Sequence, residues 1–201
     1  MRVGREDRLY TRGMPQIAVI YFSATNITAR LADAACEGAG ELIHVVSHRI
    51  RGQEIVDGRF RCEPALKLVD DSDAVIFGSP TFMGGPAAEF KAFADASSDR
   101  WGEARWKHKI AAGFTSGACA NGDQSQTLIY FTILAAQHGM LWCNLDIPGG
   151  HDSQNRNRLG TQMGVVAQAA DGALPVADIL TAKHLGRQVA ALALRLAAAP
   201  T

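Results

Sequence analysis

From Ile17 onward, apolar residues follow two alternating rhythms. Short, nearly continuous apolar runs occupy residues 17–22, 42–46, 74–78, 110–115 and 141–144. Runs of that length without polar alternation predict strands buried on both faces, as in a parallel sheet. Between them, apolar positions recur at helical spacing over residues 28–37, 64–71, 86–96 and 124–138, with a last helix over 176–198. Pro86 suits a first helical residue and Gly139 a helix stop. In the alanine-rich end, Leu185, Val189, Leu192 and Leu196 keep helical spacing, which predicts a packed helix rather than a low-complexity tract. The alternation as a whole predicts an α/β fold with five parallel strands between two helical layers.

Two segments break the alternation. Residues 47–62 are polar and contain glycine, which fits an irregular loop or a small hairpin. Residues 146–174 carry Pro148-Gly149-Gly150 and the run Asn155-Arg156-Asn157-Arg158. Loops of such length inside a domain are more often functional than idle, so both are secondary site candidates. Residues 1–14 are charged and aperiodic and are expected to form a disordered tail, an upstream start or a fusion remnant, with a strand extension as the alternative. Residues 15–201 are expected to make a single domain.

Charge and cysteine usage narrow the classes. Twenty Lys and Arg balance twenty Asp and Glu, so no net field attracts nucleic acid or an anionic membrane surface. Cys36, Cys62, Cys119 and Cys143 are dispersed, without a C-x-x-C pair or histidines at zinc-like spacing, which points to free thiols rather than disulfides and to no metal. No apolar run is long enough to span a bilayer, and the charged start lacks a secretion signal's apolar segment; the expected location is the cytoplasm.

Three loops carry the chemistry. The first strand ends in Ser23-Ala24-Thr25-Asn26-Ile27-Thr28, whose hydroxyls and backbone N–H groups at a helix start suit one phosphate. A plain helix cap is the competing reading. After the third strand comes Pro80-Thr81-Phe82-Met83-Gly84-Gly85, where glycines allow close backbone approach and Phe82 and Met83 offer an apolar wall to a flat ring. A rigid turn whose Phe82 and Met83 fill core would explain the same residues. After the fourth strand, Thr115-Ser116-Gly117-Ala118-Cys119-Ala120-Asn121-Gly122 is built of small residues that leave backbone donors uncovered for a polar ring edge. No G-x-x-x-x-G-K-[ST] and no G-x-G-x-x-G follows the first strand, and paired aspartates are missing there. A mononucleotide with one phosphate and a large planar ring remains, and FMN fits.

In this order, Ser23 to Thr28, the stretch from Gly78 through Pro80-Thr81-Phe82-Met83-Gly84-Gly85-Pro86 to Phe93, Phe114-Thr115-Ser116 and His138-Gly139-Met140 resemble the flavodoxin superfamily, most of all its WrbA-type NAD(P)H:quinone oxidoreductases. The resemblance implies a flavodoxin-like three-layer sandwich with sheet order 2-1-3-4-5 and FMN at the switch point, an arrangement known from flavodoxin itself. It also implies that Ser23 to Thr28 hold the phosphate, Pro80 to Gly84 the isoalloxazine, and Ser116 to Gly122 the ribityl chain and ring edge. His138 would lie near flavin and substrate, although a histidine before a helix-ending glycine also suits the helix dipole. Trp101 would line the substrate pocket from a neighbouring subunit of a dimer or tetramer, with interface packing as its plainer reading.

The implied activity is two-electron transfer from NADH or NADPH to a quinone or similar acceptor, with His138 as a proton donor. Two alternatives stay open: an electron-transfer flavodoxin and a non-catalytic binding protein on the same fold. The first loop is worded as in electron-carrier flavodoxins rather than with the Tyr-Gly-His of WrbA-type chains. Phe82-Met83-Gly84-Gly85 stands where that subfamily more often shows Arg-Phe-Gly-Asn.

Overall fold

A computed structural model describes residues 14–198. An inner strand of its sheet is β1 (Gln16–Phe22), in which Ile17, Val19 and Tyr21 face one helical layer and Ala18 and Ile20 the other. The same period-2 division recurs in β5 (Ala74–Phe82) and β7 (Ile110–Gly117), which explains the continuous apolar runs: both faces are covered. The edge strand β2 (His44–Ile50) pairs β1 in parallel, with Tyr21 opposite Arg49. β8 (Leu141–Trp142) pairs the start of β7, and β9 (Val165–Gln168) pairs its end. The parallel order β2-β1-β5-β7-β8 is the expected 2-1-3-4-5 arrangement, with the fifth position divided between two short segments.

The division corrects one expectation. Residues 141–144 do not form a complete fifth strand; the ladder resumes only at Val165, so the loop assigned to 146–174 contains a strand. Asn157, in the inserted segment, is buried and donates to the Ile147 carbonyl at 2.7 Å, while its Oδ1 accepts from the Thr161 N–H at 3.0 Å. Arg158 forks onto Asp178, which is buried in α6 (Val176–Ala197), and Arg156 forks onto Asp152. These bonds hold the Asp152 carboxyl well below its usual range, first through the Arg156 side chain. The Asn-Arg-Asn-Arg run therefore pins the insertion to the last helix.

One layer pairs α1 (Ile27–Gly40) with α6. Gly38 and Gly186 permit that contact, since a Cβ on Gly38 would sit 1.9 Å from the Lys183 carbonyl oxygen and one on Gly186 2.0 Å from that of Ala35. The other layer holds α2 (Glu63–Asp71), α3 (Ala88–Ala96) and α5 (Gln124–Gln137) over a core rich in Phe77, Phe90, Phe93 and Phe131. The segment after β2 contains a small hairpin, β3 (Ile55–Val56) with β4 (Arg59–Phe60). Pro86 does not begin α3. It lies in β6 (Gly85–Pro86), paired with β5, and the helix starts two residues later. A short α4 (Ser98–Gly102) leads towards β7. The tail expected at residues 1–14 lies, apart from the exposed Met14, outside the described residues. Among the described residues, no helix is long and apolar enough to cross a membrane.

Candidate active site

β1, β5 and β7 run in parallel, so the three loops that follow them meet at one edge of the sheet. In the first loop, Ala24, Thr25 and Asn26 are exposed, whereas Ser23, Ile27 and Thr28 are buried. Asn26 takes the left-handed conformation (φ 66°) and its side chain does not cap α1. Ser23 does that work instead, its Oγ accepting from the Ala29 N–H at 3.1 Å. The first-turn N–H groups of Ile27 and Thr28 have no carbonyl a turn earlier to bond, and the first turn carries no acidic side chain. The helix start is thus electropositive and turned to the exposed loop.

Arg49 strengthens that character. Reaching from the edge strand, its guanidinium donates to the Ser23 carbonyl at 2.6 Å and to Asn26 Oδ1 at 2.9 Å. No motif pointed to this residue. The signal available was its place near the end of the second strand, beside the first in any parallel pairing.

The second loop is a two-residue hairpin turn. Thr81 faces Pro86 and Phe82 faces Gly85 across it, and both turn residues, Met83 (φ 48°) and Gly84 (φ 78°), have the positive φ of a tight primed turn. Met83 is fully exposed and Phe82 half exposed, so neither fills core. Pro80 and Ser79 beneath them are buried, and Ser79 Oγ accepts from the Ala87 N–H at 2.9 Å, fixing the base of the turn.

The third loop joins the other two. Thr115 and Ser116 are adjacent on β7 and point to opposite faces. Ser116 Oγ lies 3.0 Å from Thr28 Oγ1, and Thr115 Oγ1 lies 2.8 Å from Thr81 Oγ1. Thr81 also meets Thr127 of α5 at 2.7 Å. Beyond them, Gln124 braces the loop from within: it accepts from the Gly122 N–H at 2.8 Å and donates to the Cys119 carbonyl at 2.6 Å. A Cβ on Gly117 would come within 2.6 Å of that amide, so the brace requires glycine there. Ala118, Cys119, Ala120 and Asn121 remain exposed. Gln124 and Thr127 were not foreseen, because a helix start and a buried helical threonine have no local mark of function.

Two expected site residues are not brought to this edge. α5 begins beside the third loop and its 14 residues run about 21 Å back along the sheet, so His138 reaches the opposite edge, near the start of β8. There it is 5% exposed, packs on Trp106 with ring centroids 4.3 Å apart, and bonds Ser97 through Nε2 at 2.9 Å. Ser97 spends its hydroxyl hydrogen on the Ala94 carbonyl, so His138 Nε2–H is the donor and Nδ1 is left as a buried, unpartnered acceptor. Burial pushes its pKa down to about 4. In its own chain His138 thus lies away from the three loops, buried against Trp106 and Ser97. Trp101 lies at the same far edge, exposed on α4, while Trp106 is buried and donates to Asp70 Oδ1 at 2.6 Å.

The edge can grip an anion at α1, lay a flat apolar body against Phe82 and Met83, and meet polar ring atoms at the third loop. A family model for NADPH-dependent FMN reductases matches residues 16–144, a span containing all three loops. The chain belongs to that family. A flavodoxin of Pseudomonas aeruginosa, FldP, is 36% identical over 192 residues, covering 91% of this chain and 99% of the relative. An NAD(P)H dehydrogenase (quinone) of Archaeoglobus fulgidus is 31% identical over 198 residues, covering 91% and 100%. The crystal structure of a WrbA-like flavodoxin from Agrobacterium tumefaciens superposes with a TM-score of 0.73 at 37% identity, covering 90% of this chain and 98% of that one.

A cleft of about 460 Å³ elsewhere, lined by Arg59, Cys62, Glu63, Asp95 and Arg100, has none of the loop residues in its wall.

Proposed function

We propose that this chain is an FMN-dependent oxidoreductase that takes two electrons from NADH or NADPH and passes them to a quinone or similar acceptor. The convergence of three loops, tied by the Thr28–Ser116 and Thr81–Thr115 hydroxyl pairs, carries the reading. Each loop offers what one part of FMN needs. The family, and relatives named NAD(P)H dehydrogenase (quinone), support the donor and acceptor.

When bound, FMN supplies the hydride chemistry. The chain holds and orients it. Ser23, Thr25 and the N–H groups at Asn26, Ile27 and Thr28 would hold the phosphate, with Ala24 shaping the turn and Arg49 adding a positive charge. Thr81, Phe82, Met83, Gly84 and Gly85 form the apolar wall against one side of the ring. The backbone N–H of Ala118, beyond the β7 ladder that ends at Gly117 and in a loop held by Gln124 and Gly122, would meet the polar ring edge and favour negative charge there. Nicotinamide and quinone would bind in turn at the exposed side of this site. Trp101, exposed at the far edge, lines the substrate space of a neighbouring subunit in a homo-oligomer.

The test is spectroscopic. Purified protein is expected to be yellow, to bleach with NADPH under anaerobic conditions, and to regain its colour on adding benzoquinone. One observation favours a second reading, an electron-transfer flavodoxin: the relative FldP is named a flavodoxin. A carrier would bleach only very slowly without a separate reductase. Protein that takes up no FMN would overturn both readings.

A further inference from the structure

Three potential metal ligands meet on the opposite face of β2 from Arg49. His48 projects towards the α2–α3 layer, Glu54 ends a short 3-10 turn (Gly52–Glu54), and Cys62 immediately precedes α2. One ligand atom from each, an imidazole nitrogen, a carboxylate oxygen and the thiol sulfur, lies within 4.8 Å of the other two. All three residues are half-buried. In sequence they are scattered over residues 48–62 without a recognisable metal-ligand spacing.

We propose that His48, Glu54 and Cys62 form a three-ligand site for a zinc-class divalent cation, with a fourth position open to water.

The donor set argues for this cation. A thiolate and an imidazole disfavour Ca²⁺ and Mg²⁺, which take oxygen ligands, and one thiolate, one imidazole and one carboxylate suit Zn²⁺. One thiolate and one carboxylate also neutralise a divalent charge, which a half-buried position requires. The geometry agrees: zinc bonds of about 2.0–2.1 Å at a tetrahedral angle separate N and O ligands by about 3.3 Å. His48 Nε2 and Glu54 Oε1 are 3.0 Å apart, so a small outward movement admits the ion. Glu54 is already aimed, because its Oε2 accepts from the Arg51 N–H at 2.9 Å. The site would clasp the β3–β4 segment, whose strands are two residues each, to the edge of the main sheet.

The probe is Zn²⁺ alone, titrated into the full chain against a chromophoric chelator, with Co²⁺ as a spectroscopic stand-in. One equivalent is expected to bind, and Co²⁺ is expected to give a thiolate charge-transfer band in a difference spectrum. Cys62→Ser should abolish the band, and His48→Gln should weaken Zn²⁺ by at least about tenfold. Cys119→Ser, which removes an exposed thiol outside the cluster, should leave both unchanged. In the unsubstituted protein, Zn²⁺ should protect Cys62 from alkylation, read by mass spectrometry, so the result does not depend on any variant folding. Absence of stoichiometric binding, or binding that leaves Cys62 unprotected, would reduce the cluster to a hydrogen-bonded clasp and overturn the proposal.

Discussion

Thr28 Oγ1 and Ser116 Oγ meet at 3.0 Å in a buried contact between residues 88 positions apart. The contact links the first turn of α1, where we propose the phosphate binds, to the end of β7, where we propose the ring edge lies. Through Thr115 the same strand end holds Thr81 and the ring-loop turn. The spacing between phosphate and ring sites is therefore set by hydroxyls on two adjacent residues of one strand.

Breaking that link should cost both stability and cofactor. Thr28→Val keeps the side-chain shape but leaves Ser116 without its partner, a loss of about 1–3 kcal/mol. Urea unfolding of Thr28→Val, Ser116→Ala and the double variant should show coupling of about 1 kcal/mol, and FMN titration should show weaker binding in each. Strict additivity would mean that the two hydroxyls do not act together.

Arg49 and Thr25 should discriminate between FMN and riboflavin. Arg49→Ala and Thr25→Ala are each expected to weaken FMN by about tenfold, about 1.4 kcal/mol, while riboflavin, lacking the phosphate, changes little. Flavin fluorescence quenching measures both. An equal loss for the two flavins would refute the phosphate assignment of this loop.

Met83 trades stability for a surface. A methionine in the left-handed region costs about 1–2 kcal/mol that asparagine largely avoids, and Asn-Gly is the favoured pair for such a turn. Met83→Asn should raise the stability of the FMN-free protein by up to about 1 kcal/mol and weaken FMN through loss of the apolar wall. Tighter FMN binding in the variant would contradict the wall.

His138 should make stability pH-dependent. Its folded pKa of about 4 lies below the ordinary value of 6.5, so the unfolded chain binds the extra proton first as pH falls. The contribution is complete above about pH 6.5, declines below it, and is lost by about pH 4. Between pH 7 and pH 5 the native protein should lose about 2 kcal/mol more than His138→Gln, as read by urea unfolding at the two pH values. Parallel pH profiles would show that His138 titrates normally. A His138→Gln enzyme should also retain reduction by NADPH, since the ring lies far from the loops within its own chain.

Local patterns carried much of the fold. The runs at 17–22, 74–78 and 110–115 became central strands because a strand covered on both faces needs apolar residues at every position, and such a run is visible without context. The fifth strand was less legible. Leu141–Trp142 and Val165–Gln168 each make only part of a ladder, and their assignment to one sheet position comes from pairing with the two halves of β7. Pro86 misled for a related reason: proline suits both a helix start and an edge strand, and the neighbouring turn decided for the strand.

The sequence by itself determined the parallel α/β architecture, the three loops and the kind of ligand they suit, because periodicity and loop composition act over a few residues. Only the tertiary structure decided how those loops are joined and which distant residues belong with them. It added Arg49, Gln124 and Thr127, and moved His138 about 21 Å along a helix to the opposite edge. A histidine beside a glycine looks the same in sequence at either end of a sheet. The direction of the helix that carries it decides which edge it reaches and how deeply it is buried.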